Sequence, residues 1–133
     1  ERGIRGFDSH TRNLLDLAAV AALRELTHLP VLVDPSHATG RRSLIAATAR
    51  AAVACGADGV CIEAHIRPDE SISDREQAIA PSDLADLMPS LAAIAQAVGR
   101  SLPPPRPQSA LVPLTPDPSP LTPAPYSTTC RAV

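Results

Sequence analysis

Three side chains able to ligate a metal ion lie close together in this chain: His37, Glu63 and Asp74. His37 and Glu63 fall near the ends of two consecutive apolar runs, VLVDPSH and GVCIEAH. Asp74 follows in the polar stretch Ser71-Ile72-Ser73-Asp74. An imidazole and two carboxylates converging on one rim form a ligand set for a divalent cation, and a mixed nitrogen and oxygen set suits an ion of the Mn²⁺ or Fe²⁺ kind. Each apolar run is followed by a helical pattern. That alternation builds parallel strands whose C-terminal ends share one face, so the spacing predicts a common rim for the three ligands. Asp34, before Pro35, either orients His37, approaches a substrate or serves as a turn carboxylate. Cys61 lies two residues before Glu63 and so on the same side of the strand, where it reads as a packed interior thiol. His65 shares that side as a neighbour of the ligands or a plain strand-end residue, while His10 and His28 read as surface histidines.

The elements that must position these residues follow from periodicity. Leu14, Leu15, Ala18, Ala22 and Leu26 recur at three- and four-residue steps, which predicts a helix over 11–26. Pro30 ends it, because the residue before a proline disfavours helical geometry. Val31-Leu32-Val33 reads as a strand buried on both faces. Residues 34–40 read as a loop, 41–55 as a second helix closed by Gly56, and 59–63 as a second buried strand. A polar loop over 68–79 leads to a third helix over 81–98, with Gly99 as its stop. Two crossovers with short returns imply parallel strands and right-handed connections. The fold class is therefore α/β. Two strands do not make an independent sheet, so the pattern reads as about two to three βα units, the C-terminal portion of a (β/α)8 barrel.

Composition excludes several classes of function. The formal net charge of −2 over 133 residues offers no cationic surface for nucleic acid or an anionic membrane. No apolar run approaches the roughly 20 residues of a membrane helix. Three cysteines in no paired spacing read as reduced thiols, which suits a cytoplasmic protein. The chain opens on Glu1-Arg2-Gly3 without Met, which reads as an internal piece of a longer protein. The expected division is a barrel portion over 1–99 and a tail over 100–133. Proline is dense from 103 to 125, where it blocks helices and ladders alike, so the tail reads as disordered and partly polyproline II. Its Pro-x-x-Pro spacings could serve an SH3- or WW-type partner. A linker, or translation past a damaged gene end, is the preferred reading.

The segments ERGIRGFDSHTRNLLDLAAVAAL, HLPVLVDPSHATGRR and GADGVCIEAHIRPDESISD resemble, in order and spacing, the C-terminal half of the 3-deoxy-7-phosphoheptulonate (DAHP) synthase family, in its short form related to the Kdo-8-phosphate synthases. The resemblance covers residues 1 to about 99. It implies a (β/α)8 barrel and a transferase acting in the shikimate pathway of aromatic amino acid and chorismate biosynthesis. It also implies a homo-oligomeric full-length enzyme. The implied substrates are phosphoenolpyruvate and erythrose 4-phosphate, with a divalent ion of the Mn, Fe, Co or Zn type. Carried over by motif, His37 in DPSH, Glu63 in IEAH and Asp74 in the Ser-Asp pair match the family's metal ligands. Arg2 in ERG matches an arginine that binds the phosphoenolpyruvate phosphate. Arg41 and Arg42 are candidate helpers at a helix N-terminus, where anions are favoured.

The family's chemistry explains these residue types. The ion polarises the aldehyde oxygen of the sugar phosphate. C3 of phosphoenolpyruvate attacks that carbonyl, water adds at C2, and phosphate leaves by C–O cleavage. Guanidinium groups clamp the two anionic substrates. The chain departs from the family at Arg75-Glu76, where Gly-Pro usually follows the Ser-Asp pair, which predicts a distorted loop at Asp74. The family's metal cysteine and Lys-Pro-Arg motif do not occur in these 133 residues. The chain alone is therefore expected to be inactive. Two other readings are a Kdo-8-phosphate synthase fragment and a catalytically inert truncated or frameshifted product. ERGIR, TRNLLDL and DPSH favour the DAHP synthase reading over the former.

Overall fold

The structure, a computed structural model, describes residues 1–103. The proline-dense stretch lies almost wholly outside them. In chain order the elements are α1 (Leu17–Leu26), β1 (Leu32–Val33), α2 (Pro35–Thr39), α3 (Arg42–Ala54), β2 (Gly59–Val60), a single 3₁₀ turn (Pro68–Glu70) and α4 (Pro81–Ala97). β1 and β2 pair in parallel, with Leu32 opposite Gly59 and Val33 opposite Val60, and α3 forms the crossover. The α/β grammar of the sequence is present: β1 leads to α3, and β2 leads to α4.

Backbone hydrogen bonds widen this sheet at both edges. Glu1 N donates to Leu32 O at 2.6 Å, and Asp34 N donates to Glu1 O at 2.8 Å. That pair of bonds is the pattern of a parallel ladder, so the ERG segment lies beside β1. At the other edge Ile79 N donates to Glu63 O and His65 N to Ile79 O, both at 3.0 Å. The segments carrying Arg2, His37 and Glu63 are thereby set side by side, with the Asp74 loop leading back to Ile79.

Two helix boundaries differ from the periodic reading. α1 begins at Leu17, where the Asp16 side chain caps it by accepting from Ala19 N at 2.9 Å. Residues 11–13 bend instead, and Leu14 pairs with Ile4 in an isolated antiparallel bridge. Arg12 N donates to Thr39 O at 3.0 Å and Asn13 N to Ala38 O at 2.8 Å. They satisfy carbonyls that the end of α2 leaves without helical partners. The expected loop over 34–40 contains this short helix. Asp34 caps it, Pro35 takes its first position, and Gly40 closes it at φ 64°. An alanine Cβ at Gly40 would stand 2.7 Å from the Arg12 Cβ. Gly40→Ala is expected to cost about 1–2 kcal/mol from the left-handed backbone alone, read as a lower midpoint in urea unfolding.

The core lies on one side of the sheet. Val20, Val31, Val33, Ala52 and Ala57 pack between α1, the sheet and α3. Ala49 and Val53 of α3 meet Leu87, Leu91 and Ala95 of α4. The expectation that β1 is buried on both faces is corrected: Val31 and Val33 are buried, but Leu32 between them is 55% exposed. Cys61 is exposed as well, not packed inside. Side chains alternate along a strand, and Leu32 and Cys61 share the sheet face that no described element covers. No described helix is long and apolar enough to cross a membrane.

Asp58, just before β2, ties the opposite end of the sheet together. Its carboxylate pairs with Arg100, accepts from Val31 N at 2.8 Å and meets Arg24 Nη1 at 2.9 Å. Led by Arg100, these donors lower its pKa from the ordinary 3.8 to about 2. Folding thus favours the ionised form. The stabilisation is complete above about pH 4 and is lost as pH falls through about 2. Asp58→Asn should flatten that acid limb in circular dichroism, with the remaining carboxylates setting what is left.

Candidate functional site

The C-terminal end of β1 is organised around one carboxylate. Asp34 Oδ1 accepts from His37 N at 3.0 Å, closing the first turn of α2. Asp34 Oδ2 lies 2.8 Å from His37 Nδ1 and 3.5 Å from Arg2 Nε. Two of the sequence readings of Asp34 therefore hold together, since it caps the turn and bonds the imidazole. With Nδ1 engaged by a carboxylate, Nε2 is the ring nitrogen left to act as a donor. Metal-binding histidines are commonly held this way, because the outer carboxylate fixes the ring and raises its basicity. Arg2 is largely exposed, so its guanidinium is accessible to an anion beside that ring.

Glu63 is pinned to the same corner through its backbone. Its N–H donates to the Ser36 hydroxyl at 3.0 Å, and Ser36 is fully buried beside His37. Asp74 belongs to the loop after the 3₁₀ turn. It is the one non-glycine residue with positive φ, at 54°, among the described residues. The unusual backbone geometry thus falls on the aspartate itself and not on Arg75. Asp74 O accepts from Gln77 N and Ala78 N, each at 3.0 Å. Asp74 Oδ1 accepts from Gln77 Nε2 at 3.0 Å and lies 3.5 Å from Arg12 Nη1. Gln77 is buried, and its Oε1 accepts from the same Arg12 nitrogen at 3.1 Å. Arg12, Gly40, Asp74, Arg75, Glu76 and Gln77 line a cavity of about 500 Å³.

Ser36 links the segments of His37 and Glu63, whereas the Asp74 side chain bonds Arg12 and Gln77, so the predicted ligands do not close on a common point. Among the described residues no three His, Cys, Asp or Glu side chains form a metal-sized cluster. The donor types nevertheless suit a divalent cation: one oriented imidazole and two carboxylates. The Asp74 carboxylate is turned to Arg12 and Gln77.

The candidate phosphate helpers divide. Arg42 acts as a strut, with Nε donating to Ala78 O at 2.6 Å and Nη2 reaching Arg75 O and the Asp69 carboxylate at 2.7 and 2.9 Å. A guanidinium committed to these acceptors makes a poor substrate clamp. Arg41 is exposed and donates to His10 O at 3.1 Å. His65 forms a local turn through Arg67 and makes no side-chain bond to Glu63. Sequence reasoning missed Arg12, Ser36 and Gln77. Arg12 lies 62 positions from Asp74, and no local pattern marks that pairing.

Comparison with known proteins places this corner in a family. The chain is 44% identical over 99 residues to the phospho-2-dehydro-3-deoxyheptonate aldolase of Thermotoga maritima, covering 74% of this chain and 29% of that protein. It is 32% identical over 95 residues to a 2-dehydro-3-deoxyphosphooctonate aldolase of Desulfosudis oleivorans, covering 63% of this chain and 34% of that protein. Its structure superposes on the crystal structure of the Thermotoga maritima DAHP synthase with a TM-score of 0.75 at 43% identity, over 77% of this chain and 30% of that one. The chain thus spans under a third of the Thermotoga relative, and its α/β arrangement matches that part of the enzyme's fold. Residues 1–98 match the sequence profile of the DAHP synthetase I family, and the chain belongs to that family.

Proposed function

We propose that this chain carries the C-terminal metal and phosphate rim of a DAHP synthase barrel, within which residues 1–99 form the barrel portion and 100–133 a proline-rich tail. The observation that carries the proposal is the single carboxylate of Asp34 holding both the His37 ring and Arg2. A cation and an anion can be bound side by side there, as a metal-assisted condensation of phosphoenolpyruvate requires. In this reading His37, Glu63 and Asp74 would hold a divalent ion, whose chemistry would be to polarise the aldehyde of erythrose 4-phosphate. Asp34 fixes the His37 ring through Nδ1 and leaves Nε2 available as a ligand. Arg2 holds the phosphoenolpyruvate phosphate by charge and hydrogen bonding. Ser36, bonded to Glu63 N, sets the distance between the two strand ends. The setting is a cytoplasmic, homo-oligomeric enzyme of aromatic amino acid biosynthesis.

The test is a hybrid barrel in which residues 1–98 replace the matching segment of the Thermotoga aldolase. Formation of DAHP by a folded hybrid is the expected result, and a folded, monodisperse hybrid without product would sink the reading. Carbon count separates the related reaction. A seven-carbon product needs a four-carbon sugar phosphate beside three-carbon phosphoenolpyruvate, whereas an eight-carbon product needs a five-carbon one. Preference of the hybrid for the five-carbon aldehyde would favour the Kdo-8-phosphate alternative. The 133-residue chain alone, given both substrates and Mn²⁺, should form no product, because the family's Lys-Pro-Arg motif and metal cysteine are not within it.

A further inference from the structure

We propose that Arg42 is a positioning residue that fixes the loop over 69–78 against the start of α3, so that the wall of the rim cavity is set before any substrate arrives. The catalytic consequence rests on the DAHP synthase reading, whereas the grip on the loop does not. Three observations carry it. Arg42 reaches four acceptors on that loop: its N–H donates to Glu76 O at 2.8 Å, Nε to Ala78 O at 2.6 Å, and Nη2 to Arg75 O at 2.7 Å and Asp69 Oδ1 at 2.9 Å. The dependence is mutual. α3 has no side-chain cap at Arg41, and Glu76 O takes one of the N–H groups that a helix start leaves without a partner. Finally, the loop holds Asp74 at φ 54°, a backbone geometry that persists in a non-glycine residue only where the surroundings impose it. Asp74 O accepts from Gln77 N and Ala78 N inside the loop, and Arg42 clasps the carbonyls on either side of that turn.

The fork of the guanidinium explains why an arginine serves here. Its N–H groups reach two separate carbonyls and a carboxylate in a fixed plane, which the point charge of a lysine does not reproduce. The carboxylate is the lesser partner, because the Asp69 side chain is 87% exposed and an ion pair in water adds little. Arg75 and Glu76, which stand where the family has Gly-Pro, are held through their backbone carbonyls. Arg75, Glu76 and Gln77 also line the cavity of about 500 Å³, so releasing the loop would loosen one wall of it.

The first experiment is amide hydrogen exchange in the full 133-residue chain. Arg42→Ala should speed exchange at Gln77 and Ala78 about tenfold or more, since hydrogen bonds to a charged group are lost and the loop opens locally. Amides in the middle of α3 should keep their parent rates. Arg42→Lys should give a smaller rise in the same two amides, and it carries the test if the alanine variant does not fold. Asp69→Asn should leave both amides unchanged. Exchange at Gln77 and Ala78 that stays at the parent rate in both Arg42 variants, or that rises equally in Asp69→Asn, would overturn the grip. The second experiment places Arg42→Ala in the hybrid barrel, where kcat/KM for DAHP formation should fall about 10–100-fold through misplacement of the rim, with the melting temperature held. Unchanged kcat/KM in an active hybrid would overturn the positioning role even if the loop exchanges faster. A parent hybrid that forms no DAHP overturns the DAHP synthase reading and the catalytic role with it, and the exchange rates then decide the grip alone.

Discussion

His37→Ala in the hybrid barrel is expected to abolish measurable DAHP formation, and Asp34→Asn to lower it about 10–100-fold. The two differ because they act on the ion differently. Alanine removes the nitrogen donor outright. Asparagine leaves the imidazole in place but replaces the charged acceptor 2.8 Å from Nδ1 with a neutral amide. The ring then loses the partner that fixes its orientation and supports its basicity. The Asp34→Asn loss should appear mainly as weaker metal affinity and be partly recovered by raising Mn²⁺, whereas His37→Ala should not recover. Equal, unrecoverable losses in both would mean that Asp34 matters for the fold of α2 and not for the metal. Thermal unfolding of the two hybrids separates those cases, since Asp34 also caps α2 through His37 N.

Leu87→Ala is expected to destabilise the chain by about 2–5 kcal/mol, the range for truncating a buried leucine. Leu87 is 3% exposed and packs with Leu91 and Ala95 of α4 against Ala49 and Val53 of α3. The partners across that seam are small. Alanines let two helices approach closely but leave little side chain to move into a hole, so the cavity should persist. Single domains are stable by only about 5–15 kcal/mol, which makes this one change a large fraction of the total. Urea unfolding of the parent and variant chains checks it, and a shift below about 1 kcal/mol would mean that the α3–α4 seam relaxes freely. Leu91 is a weaker choice because it lines an open apolar cavity of about 530 Å³ with Val60, Ile62 and Met88.

Much of this molecule was legible in its sequence because the signals are local. Asp34-Pro35 followed by Gly40 carries a complete helix start and stop, although the stretch is so short that it first reads as a loop. The alternation of apolar runs with helical periods specified parallel strands joined by a helix, and β1, α3 and β2 obey it. The motifs DPSH and IEAH specified which residues would stand at the strand ends. The family assignment rests on those same segments.

What stayed hidden depends on contacts between distant parts of the chain. Residues 11–14 look helical by period, yet Arg12 N and Asn13 N donate to α2 carbonyls and Leu14 N to Ile4 O. Arg42 looks like a phosphate clamp by its place at a helix start. Three acceptors from the loop over 69–78 claim it. The pairing of Asp74 with Arg12 joins residues 62 positions apart, and its partner Gln77 shows no feature that marks it. By itself, then, the sequence determined the alternation of parallel strands with helices and nominated the rim residues, because periodicity, caps and motifs act within a few residues. Tertiary structure alone decided which side chains on that rim face one another and which are already occupied, because a guanidinium or a carboxylate goes to whichever partner the folded backbone brings within reach.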